Sequence, residues 1–361
     1  MLKQQKIFFD FLRFCIGSAK EIPGSLKEAD WKELYAIAQK QALLGVLFYG
    51  IQRLPKGLAP EQKLLMQWMV MAQQIRKQNI RLFQNSVKIC QNFENEGFAN
   101  CILKGQGNAL LYPDPYMRTP GDIDIYLLGG RRKIMKYVNQ VCPNQVMRYH
   151  HVDFPVMKTA IEVHFTPSYM FCPIHNRRMQ KWFEEVMGEQ CNHRGSLPDG
   201  YGEIHVPQVS FNVIYILSHL YRHIFTEGIG LRQLLDYYYV LISDDLLLIR
   251  DRVQKELKHL GLWKFAQAVM FVMKEVFGLS EDRMIAPMDE KEGRFLLDEI
   301  MRGGNFGQYD DRSKVDESKI HRYFRMNLRN LRFVKHYPTE AVCEPVFRTW
   351  FAGWKFINRI K

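Results

Sequence analysis

The sequence lacks long apolar runs. Its longest stretch without a charged residue, 204–221, contains Pro207, Gln208 and two histidines, whereas a helix that crosses a bilayer needs about 20 mainly apolar residues. No transmembrane segment is therefore expected. The first residues also lack the small-residue cleavage site that ends a secretory leader, and we expect a cytoplasmic protein.

Cysteine is scarce as well. The 361 residues include seven cysteines, an odd number, and no Cys-x-x-Cys pair, which is typical of reduced thiols rather than of a disulfide framework. Cys172 is close in sequence to His175, and Cys191 to His193, but neither spacing matches a zinc ribbon. We interpret all seven residues as reduced cysteines.

Acidic residues are outnumbered by basic ones. Lysine and arginine total 50 against 38 aspartates and glutamates, which gives a net charge of +12. This excess favours nucleotides, nucleic acid or an anionic membrane as partners. The composition, 47% hydrophobic and 13% aromatic, excludes a disordered chain.

Hydrophobic periodicity predicts an α+β fold that is rich in helix, with a small sheet flanked by helical regions. Four segments follow: a helical N-terminal region (1–98), a core that holds the sheet (99–209), a second helical region (210–301) and a basic C-terminal helical segment (302–361). Within the core we predict a helix at 132–141 and strands at 101–103, 123–127, 147–154 and 159–165.

Two aspartates alternate with isoleucines where a strand is predicted. Residues 121–126 read Gly-Asp-Ile-Asp-Ile-Tyr, so Asp122 and Asp124 share one face of the strand while the isoleucines face the core. Such a pair can bind Mg²⁺, which prefers hard oxygen ligands. Glu162 alternates in the same way in the next predicted strand and is the candidate third ligand. The alternative is a pair of solvated carboxylates at a sheet edge.

A phosphate-binding turn is a second candidate feature. Residues 103–108 read Leu-Lys-Gly-Gln-Gly-Asn, and the end of a strand followed by a helix start favours anions. Lys104 and Gly105 would form this turn, although a solvated lysine beside a turn glycine is an equal alternative. Arg118 could neutralise phosphate or pair with Asp114. The order of residues fits neither a P-loop nor a GxGxxG fingerprint.

Two i,i+4 pairs lie in the second helical region. His219 and His223 share a helix face, where they could be structural, contact a nucleotide or acceptor, or bind zinc. Arg232 and Asp236 have the spacing of a surface salt bridge.

Together these motifs resemble a known family. Leu-Lys-Gly at 103–105, Leu-Tyr-Pro-Asp at 111–114, Arg118, the Asp-x-Asp segment and Glu-Val-His-Phe at 162–165 resemble the uncharacterised bacterial nucleotidyltransferase family of the DNA polymerase beta-like superfamily. The stretch from 219 to 236 is similar to that family's downstream helices. The resemblance covers roughly residues 30–280.

The resemblance implies transfer of a nucleoside monophosphate from a nucleoside triphosphate to a hydroxyl acceptor by a two-metal mechanism, with two Mg²⁺ or Mn²⁺ ions. It makes 99–209 the catalytic core, with a small mixed sheet on which helices pack, and 210–301 the region that closes over the nucleotide. The implied catalytic metal ligands are Asp122, Asp124 and Glu162. The implied nucleotide-binding residues are Lys104, Gly105, Arg118, His164, His219, His223 and Arg232. The family's superfamily usually has a Gly-Ser or Gly-Gly turn where this chain has Lys-Gly-Gln, and its third carboxylate is here a glutamate.

The C-terminal segment carries most of the excess charge. Residues 312–361 contain twelve basic and four acidic residues. Helical spacing places Arg322, Arg325, Arg329 and Arg332 on one face and Ile320, Phe324, Leu328 and Leu331 on the other. This helix could bind RNA, lie on an anionic membrane, or dock its apolar face on the protein's own core. The alternatives to an enzyme are thus a non-catalytic nucleotide-binding or regulatory module, as in a toxin–antitoxin-like pair, and an RNA-interacting protein.

Overall fold

The computed structural model describes residues 3–310, 312 and 319–358. The helices in this part of the chain are α1 (Lys3–Ile16), α2 (Trp31–Lys40), α3 (Leu44–Ile51), α4 (Gln62–Asn95), α5 (Gln106–Ala109), α6 (Gly130–Val141), α7 (Pro173–Gln190), α8 (Val209–Thr226), α9 (Leu231–Leu241), α10 (Asp245–His259), α11 (Trp263–Val272), α12 (Glu290–Gly303), α13 (Lys319–Val334) and α14 (Pro338–Ile357). The strands are β1 (Asn100–Ile102), β2 (Ile123–Leu127), β3 (His151–Asp153), β4 (Ile161–His164), β5 (Arg194–Ser196) and β6 (Glu203–His205).

A four-stranded mixed sheet has the order β1-β2-β4-β3. β2 runs parallel to β4, while β1 and β3 are antiparallel to their neighbours. All five residues of β2 are buried, as expected of a strand covered on both faces. The predicted helix-rich α+β fold with a small mixed sheet is confirmed.

The sequence analysis missed α7 and the β5–β6 hairpin. α7 buries Met179, Trp182, Phe183 and Met187, which is a helical spacing, and it has a proline at its first position, a common helix start. The hairpin gave no signal, because β5 reads Arg-Gly-Ser and is largely exposed.

Two apolar clusters form the core, and α4 contributes to both. Its N-terminal half packs Trp68 and Ile75 among the N- and C-terminal helices. Its C-terminal half packs Phe83 and Phe93 against the sheet and α6. At 34 residues this helix is about 50 Å long, so it connects the helical body to the sheet. The division of the chain at 98, 209 and 301 stays a prediction.

Helix α13 contacts the rest of the protein through its arginine face and not through the apolar face that was one of the expectations. The guanidinium of Arg329 donates to the main-chain oxygens of Ile224 and Thr226 at the end of α8, and Arg332 pairs with Glu299. Leu328 and Leu331, by contrast, are 66% and 63% exposed. Docking of the apolar face on the core is therefore wrong for these two leucines.

The physical reason is electrostatic. The last carbonyl groups of a helix have no partner within the helix and attract cations. The arginine face of α13 meets such carbonyls, and it also meets an acidic side chain of α12. The side chains of Ile320, Arg322 and Phe324 lie outside the described residues.

Over the described ranges, none of the helices combines the length and the apolar character that a membrane-crossing span requires.

Candidate active site

Three carboxylates meet at the centre of the mixed sheet. Asp124 of β2 and Glu162 of β4 are directly paired in the parallel register, and Asp122 lies one residue before β2. Asp124 is 3% exposed, while the Glu162 side chain keeps 28% of its surface. The neighbouring Asp124 carboxylate, together with burial, raises the pKa of Asp122 to about 6. Ile123 and Ile125, which alternate with the two aspartates, are fully buried.

Two cationic groups face the most buried of these carboxylates. Lys104 Nζ lies 3.0 Å from Asp124 Oδ1, and His164 Nε2 lies 2.9 Å from the same oxygen. Burial acts to raise the pKa of Asp124, but the ammonium and the imidazole together hold it well below its usual range. Asp124 is therefore ionised at neutral pH.

Glu162 has a histidine partner that the sequence analysis did not single out. His151 of β3 places Nδ1 3.2 Å from a Glu162 oxygen. Burial lowers the pKa of His151 to about 2, so the ring is neutral, and its Nδ1 is also within hydrogen-bond distance of His150 Nε2, at 3.2 Å. His164 lies 3.6 Å from the same Glu162 oxygen. Two adjacent histidines at 150–151 within a predicted strand were the available signal.

The sheet itself positions Lys104. Leu103 N donates to the main-chain oxygen of Asp124 at 2.9 Å, which fixes the end of the β1 segment beside the aspartate. Gly105 follows with φ +54°, and a Cβ there would lie 3.4 Å from the Asp122 main-chain oxygen. Because L side chains disfavour positive φ, glycine allows this turn to pass close to the acidic centre.

The histidines of α8 lie behind Lys104. His219 Nε2 is 3.2 Å from Lys104 Nζ, and Arg222 contacts His219 Nδ1 and donates to His223 Nε2 at 2.9 Å. Burial and the nearby cations lower the pKa of both rings, that of His223 to about 4. Because the lone pair of His223 Nε2 accepts a hydrogen bond from the Arg222 guanidinium, it is not available to a zinc ion, which disfavours the zinc alternative.

Arg118 and Asp236 form a buried ion pair. Two parallel hydrogen bonds of 2.8 Å join the guanidinium to the carboxylate, and Tyr112 donates to the same carboxylate at 2.7 Å. Pairing of Arg118 with Asp114 is therefore wrong, since Asp114 caps the turn at 115–117 instead.

The expected surface salt bridge between Arg232 and Asp236 is also wrong. Both residues are buried, and Arg232 donates to the Thr119 main-chain oxygen at 3.1 Å. The reason is that α9 is buried along its whole length, so its charged side chains find partners across the core rather than in solvent.

Two glycine-rich turns pack together at the rim of the site. Side chains at Gly230 or Gly307 would collide with the facing turn, since a Cβ at Gly230 would lie 2.8 Å from Asn305 Cα, and a Cβ at Gly228 would be tightly packed, at 3.3 Å from Gly307 N. This packing places Phe306 beside the cleft, with its ring 5.4 Å from the Arg232 guanidinium. The glycines at 303, 304 and 307 are evident in the sequence, but the contact of this loop with the turn at 227–230 is not.

The cleft has a cavity volume of about 40 Å³, and Asp122, Asp124, Lys104, His219, Arg232 and Phe306 are among the residues that line it. Pockets for small ligands typically measure roughly 300–1,000 Å³, so the walls of this cleft must separate to admit a nucleotide. Carboxylates and a lysine thus lie in one cleft with an aromatic ring and a buried arginine.

The comparison with known families fits this geometry. A sequence model of a family described as uncharacterised nucleotidyltransferase matches residues 27–278. The chain belongs to this family. Family membership makes the protein a transferase of nucleotidyl groups, with no acceptor specified, and confirms the resemblance drawn from the motifs. The bacterial origin stays a prediction.

The matched range includes every site residue that was predicted from the sequence, but it ends before Phe306 and α14. No curated protein matches the chain.

Proposed function

We propose that this nucleotidyltransferase transfers a nucleoside monophosphate from a nucleoside triphosphate to a hydroxyl acceptor, with Asp122, Asp124 and Glu162 as the ligands of Mg²⁺ or Mn²⁺. The observation that carries the proposal is the pairing of Asp124 with Glu162 across two parallel strands, in the cleft that also contains Lys104.

The residues present fit a divalent cation. All three carboxylates offer hard oxygen atoms, the donor type that Mg²⁺ and Mn²⁺ prefer. The raised pKa of Asp122 shows that the negative charge at this centre is only partly neutralised by the protein. When bound, such ions polarise the phosphate, lower the pKa of an acceptor hydroxyl and neutralise charge on the leaving pyrophosphate.

The other side chains have positioning and binding roles. His164 orients Asp124, and His151 orients Glu162, through the contacts described above. Lys104 presents an ammonium group to the cleft and is our candidate partner of a phosphate oxygen. Gly105 lets the Lys104 turn approach the carboxylates, and the buried Arg232 and His219 also line the cleft.

Two of the residues that the resemblance implies for nucleotide binding, Arg118 and His223, are paired within the protein. Arg118 is occupied by Asp236, and His223 by Arg222. We propose that these two residues hold the wall of the cleft in place rather than contact the nucleotide. Phe306 takes their place as the candidate surface for a base, because aromatic rings stack on bases of any sequence.

Thermal unfolding with each nucleoside triphosphate, with and without magnesium, tests the proposal. A ligand at 100 times its Kd stabilises by roughly 2.7 kcal/mol, which shifts the melting temperature by a few degrees. We expect a magnesium-dependent shift for at least one triphosphate in the wild type and in the exposed-residue control Asp251→Asn, and its loss in Asp122→Ala/Asp124→Ala.

Pyrophosphate release then separates an enzyme from the two alternatives. A melting-temperature shift with a triphosphate, without pyrophosphate release in the presence of any hydroxyl acceptor, favours the non-catalytic module. The absence of any triphosphate shift in a folded wild-type sample contradicts the proposal.

A second candidate function, membrane association, is favoured by the last helix, α14. Over its described length α14 turns only uncharged residues outward, among them Val346, Trp350 and Phe356, which are 68%, 54% and 85% exposed. Its glutamates Glu340 and Glu344 are each 1% exposed. We propose that this face, in a segment of charge +8, contacts an anionic membrane surface rather than RNA, because Arg329 and Arg332 are engaged within the protein.

A further inference from the structure

The starts of α7 and α14 bring together four side chains that can bind a metal. Cys172 precedes α7 and His175 lies in its first turn, while Glu340 lies in the first turn of α14 and Cys343 follows one turn later. On each helix the two residues are three positions apart, a spacing that places both on one face. The four residues come from segments about 165 positions apart in sequence.

Distances support a shared site. The ligand atoms of Cys172, His175 and Glu340 all lie within 4.8 Å of one another, and His175 Nδ1 is 3.0 Å from Glu340 Oε1. Cys343 lies outside this group of three, but burial and the nearby Cys172 thiol raise the pKa of Cys343 to about 11. Donors around a tetrahedral zinc ion at about 2.0–2.3 Å are roughly 3.3–3.8 Å apart, so small movements suffice to bind one.

The surroundings hold the donors in place. Glu340 Oε2 accepts hydrogen bonds from Phe171 N at 2.7 Å and Cys172 N at 3.1 Å, which leaves Oε1 directed at His175. The far edge of the imidazole ring packs against Gly261, where φ is +77° and any Cβ would collide with the ring. Glycine at this position therefore keeps His175 Nδ1 directed at the carboxylate. Such outer contacts orient metal ligands in known sites.

We propose that Cys172, His175, Glu340 and Cys343 form a zinc site that fastens the start of α14 to the start of α7. Two sulfur atoms, one nitrogen and one oxygen are a set that suits Zn²⁺ and is too soft for Mg²⁺. The site has a structural role and is separate from the carboxylates of the sheet. In this proposal the metal partners of Cys172 other than His175 lie in α14, and not at Cys191 and His193.

Metal content and cobalt binding test this inference in the full-length protein, purified without chelators or immobilised-metal resin. We expect one zinc ion per chain, and a Co²⁺ titration that gives the visible bands of a tetrahedral site and a near-ultraviolet thiolate band. Loss of a residue that hydrogen-bonds to a metal ligand already weakens metal affinity about 10–100-fold, so Cys343→Ser and His175→Ala should each weaken zinc binding by at least about 100-fold.

Two controls keep the outcomes distinct. Cys142→Ser removes a half-buried thiol elsewhere and should retain the zinc. Asp122→Ala/Asp124→Ala should also retain it, which separates this site from the catalytic one. If the wild type takes up no zinc or cobalt, if Cys343→Ser binds both as tightly as the wild type, or if peptides around Cys172 and Cys343 are recovered joined by a disulfide, the inference is wrong.

Discussion

Asp124 and Glu162 occupy directly paired positions in two parallel strands. Adjacent strands lie about 4.8 Å apart, so the two side chains emerge side by side on one face of the sheet. A carboxylate pair held by backbone register is insensitive to side-chain motion elsewhere. The same register carries His164 beside Tyr126 and so places the histidine next to both carboxylates.

The first prediction concerns this pair. Asp124→Asn and Glu162→Gln each keep the shape of the side chain but remove its charge. We expect each to lower kcat by at least about 10²–10³-fold, the usual loss when one charge-stabilising group is removed. Circular dichroism should stay unchanged. Asp251→Asn is the matched control on an exposed stretch of α10, and activity in the Glu162→Gln variant equal to this control would contradict the assignment.

A second prediction concerns Lys104. Charge-assisted hydrogen bonds contribute about 1.5–3 kcal/mol, so Lys104→Met should raise KM for the triphosphate about 10–150-fold. Lys104→Arg should recover part of the loss, because it restores the charge. Steady-state kinetics with pyrophosphate detection measures both.

Lys136→Met is the control for that experiment, since Lys136 is exposed on α6. If Lys104→Met leaves KM unchanged and lowers only the melting temperature, Lys104 merely neutralises Asp124 and does not bind phosphate.

The third prediction concerns stability and rests on the Arg118–Asp236 pair. Removing one partner of a buried pair typically costs about 3–5 kcal/mol, because the other charge is left uncompensated. Asp236→Asn should therefore destabilise the fold by about this amount in urea unfolding at neutral pH. The double variant Arg118→Met/Asp236→Leu should be more stable than Asp236→Asn. Equal stability of wild type and Asp236→Asn would contradict the role of the pair.

The same pair gives a pH dependence. Burial acts to raise the pKa of Asp236, but Arg118 keeps it below its usual value. Its stabilising contribution is therefore fully present above the unfolded-state pKa near 3.9, and it is lost as the pH falls through the lower folded-state value. We expect the stability difference between wild type and Asp236→Asn to shrink only in that acidic range, and urea titrations from pH 6 downward, to about pH 3, measure it.

The sequence predicted those parts of the fold and site that depend on local pattern. Alternation of charge and isoleucine in β2 was enough to place Asp122 and Asp124 near each other, and the same alternation pointed to Glu162. Relationships between distant segments were not predictable. Arg118 and Asp236 are 118 positions apart, and no local signal distinguishes this pairing from one with Asp114.

The reversed orientation of α13 shows a second limit. Periodicity defines two faces of a helix but does not say which one is buried. Arg329 faces the protein because it donates to carbonyl groups at the end of α8, and this contact between distant segments is not evident from the sequence. Phe306 was missed for a similar reason, since its position depends on contact between two glycine-rich turns.

The fourth prediction tests Phe306. Stacking of a base on an aromatic ring is worth about 1–3 kcal/mol by alanine substitution, so Phe306→Ala should raise KM for the triphosphate about 5–150-fold, while kcat falls much less. Phe306→Tyr should retain the wild-type KM because the ring remains. Tyr309→Ala, an exposed aromatic three residues later, is the matched control. A large fall in kcat with unchanged KM would show that Phe306 shapes the catalytic centre instead of contacting the donor.

The last prediction concerns the apolar face of α14. Val346 and Phe356 are strongly exposed, so charged substitutions there should leave the fold intact. Binding to anionic vesicles depends on buried apolar area and on attraction to negative lipids. We therefore expect the wild type to sediment with vesicles of phosphatidylserine and phosphatidylcholine, less with phosphatidylcholine alone, and Val346→Glu/Phe356→Glu to stay in solution. Leu248→Glu, an equally exposed apolar residue on α10, should sediment as the wild type does. Binding to RNA that survives the double substitution, with no vesicle binding by the wild type, would contradict the membrane proposal and favour the RNA alternative.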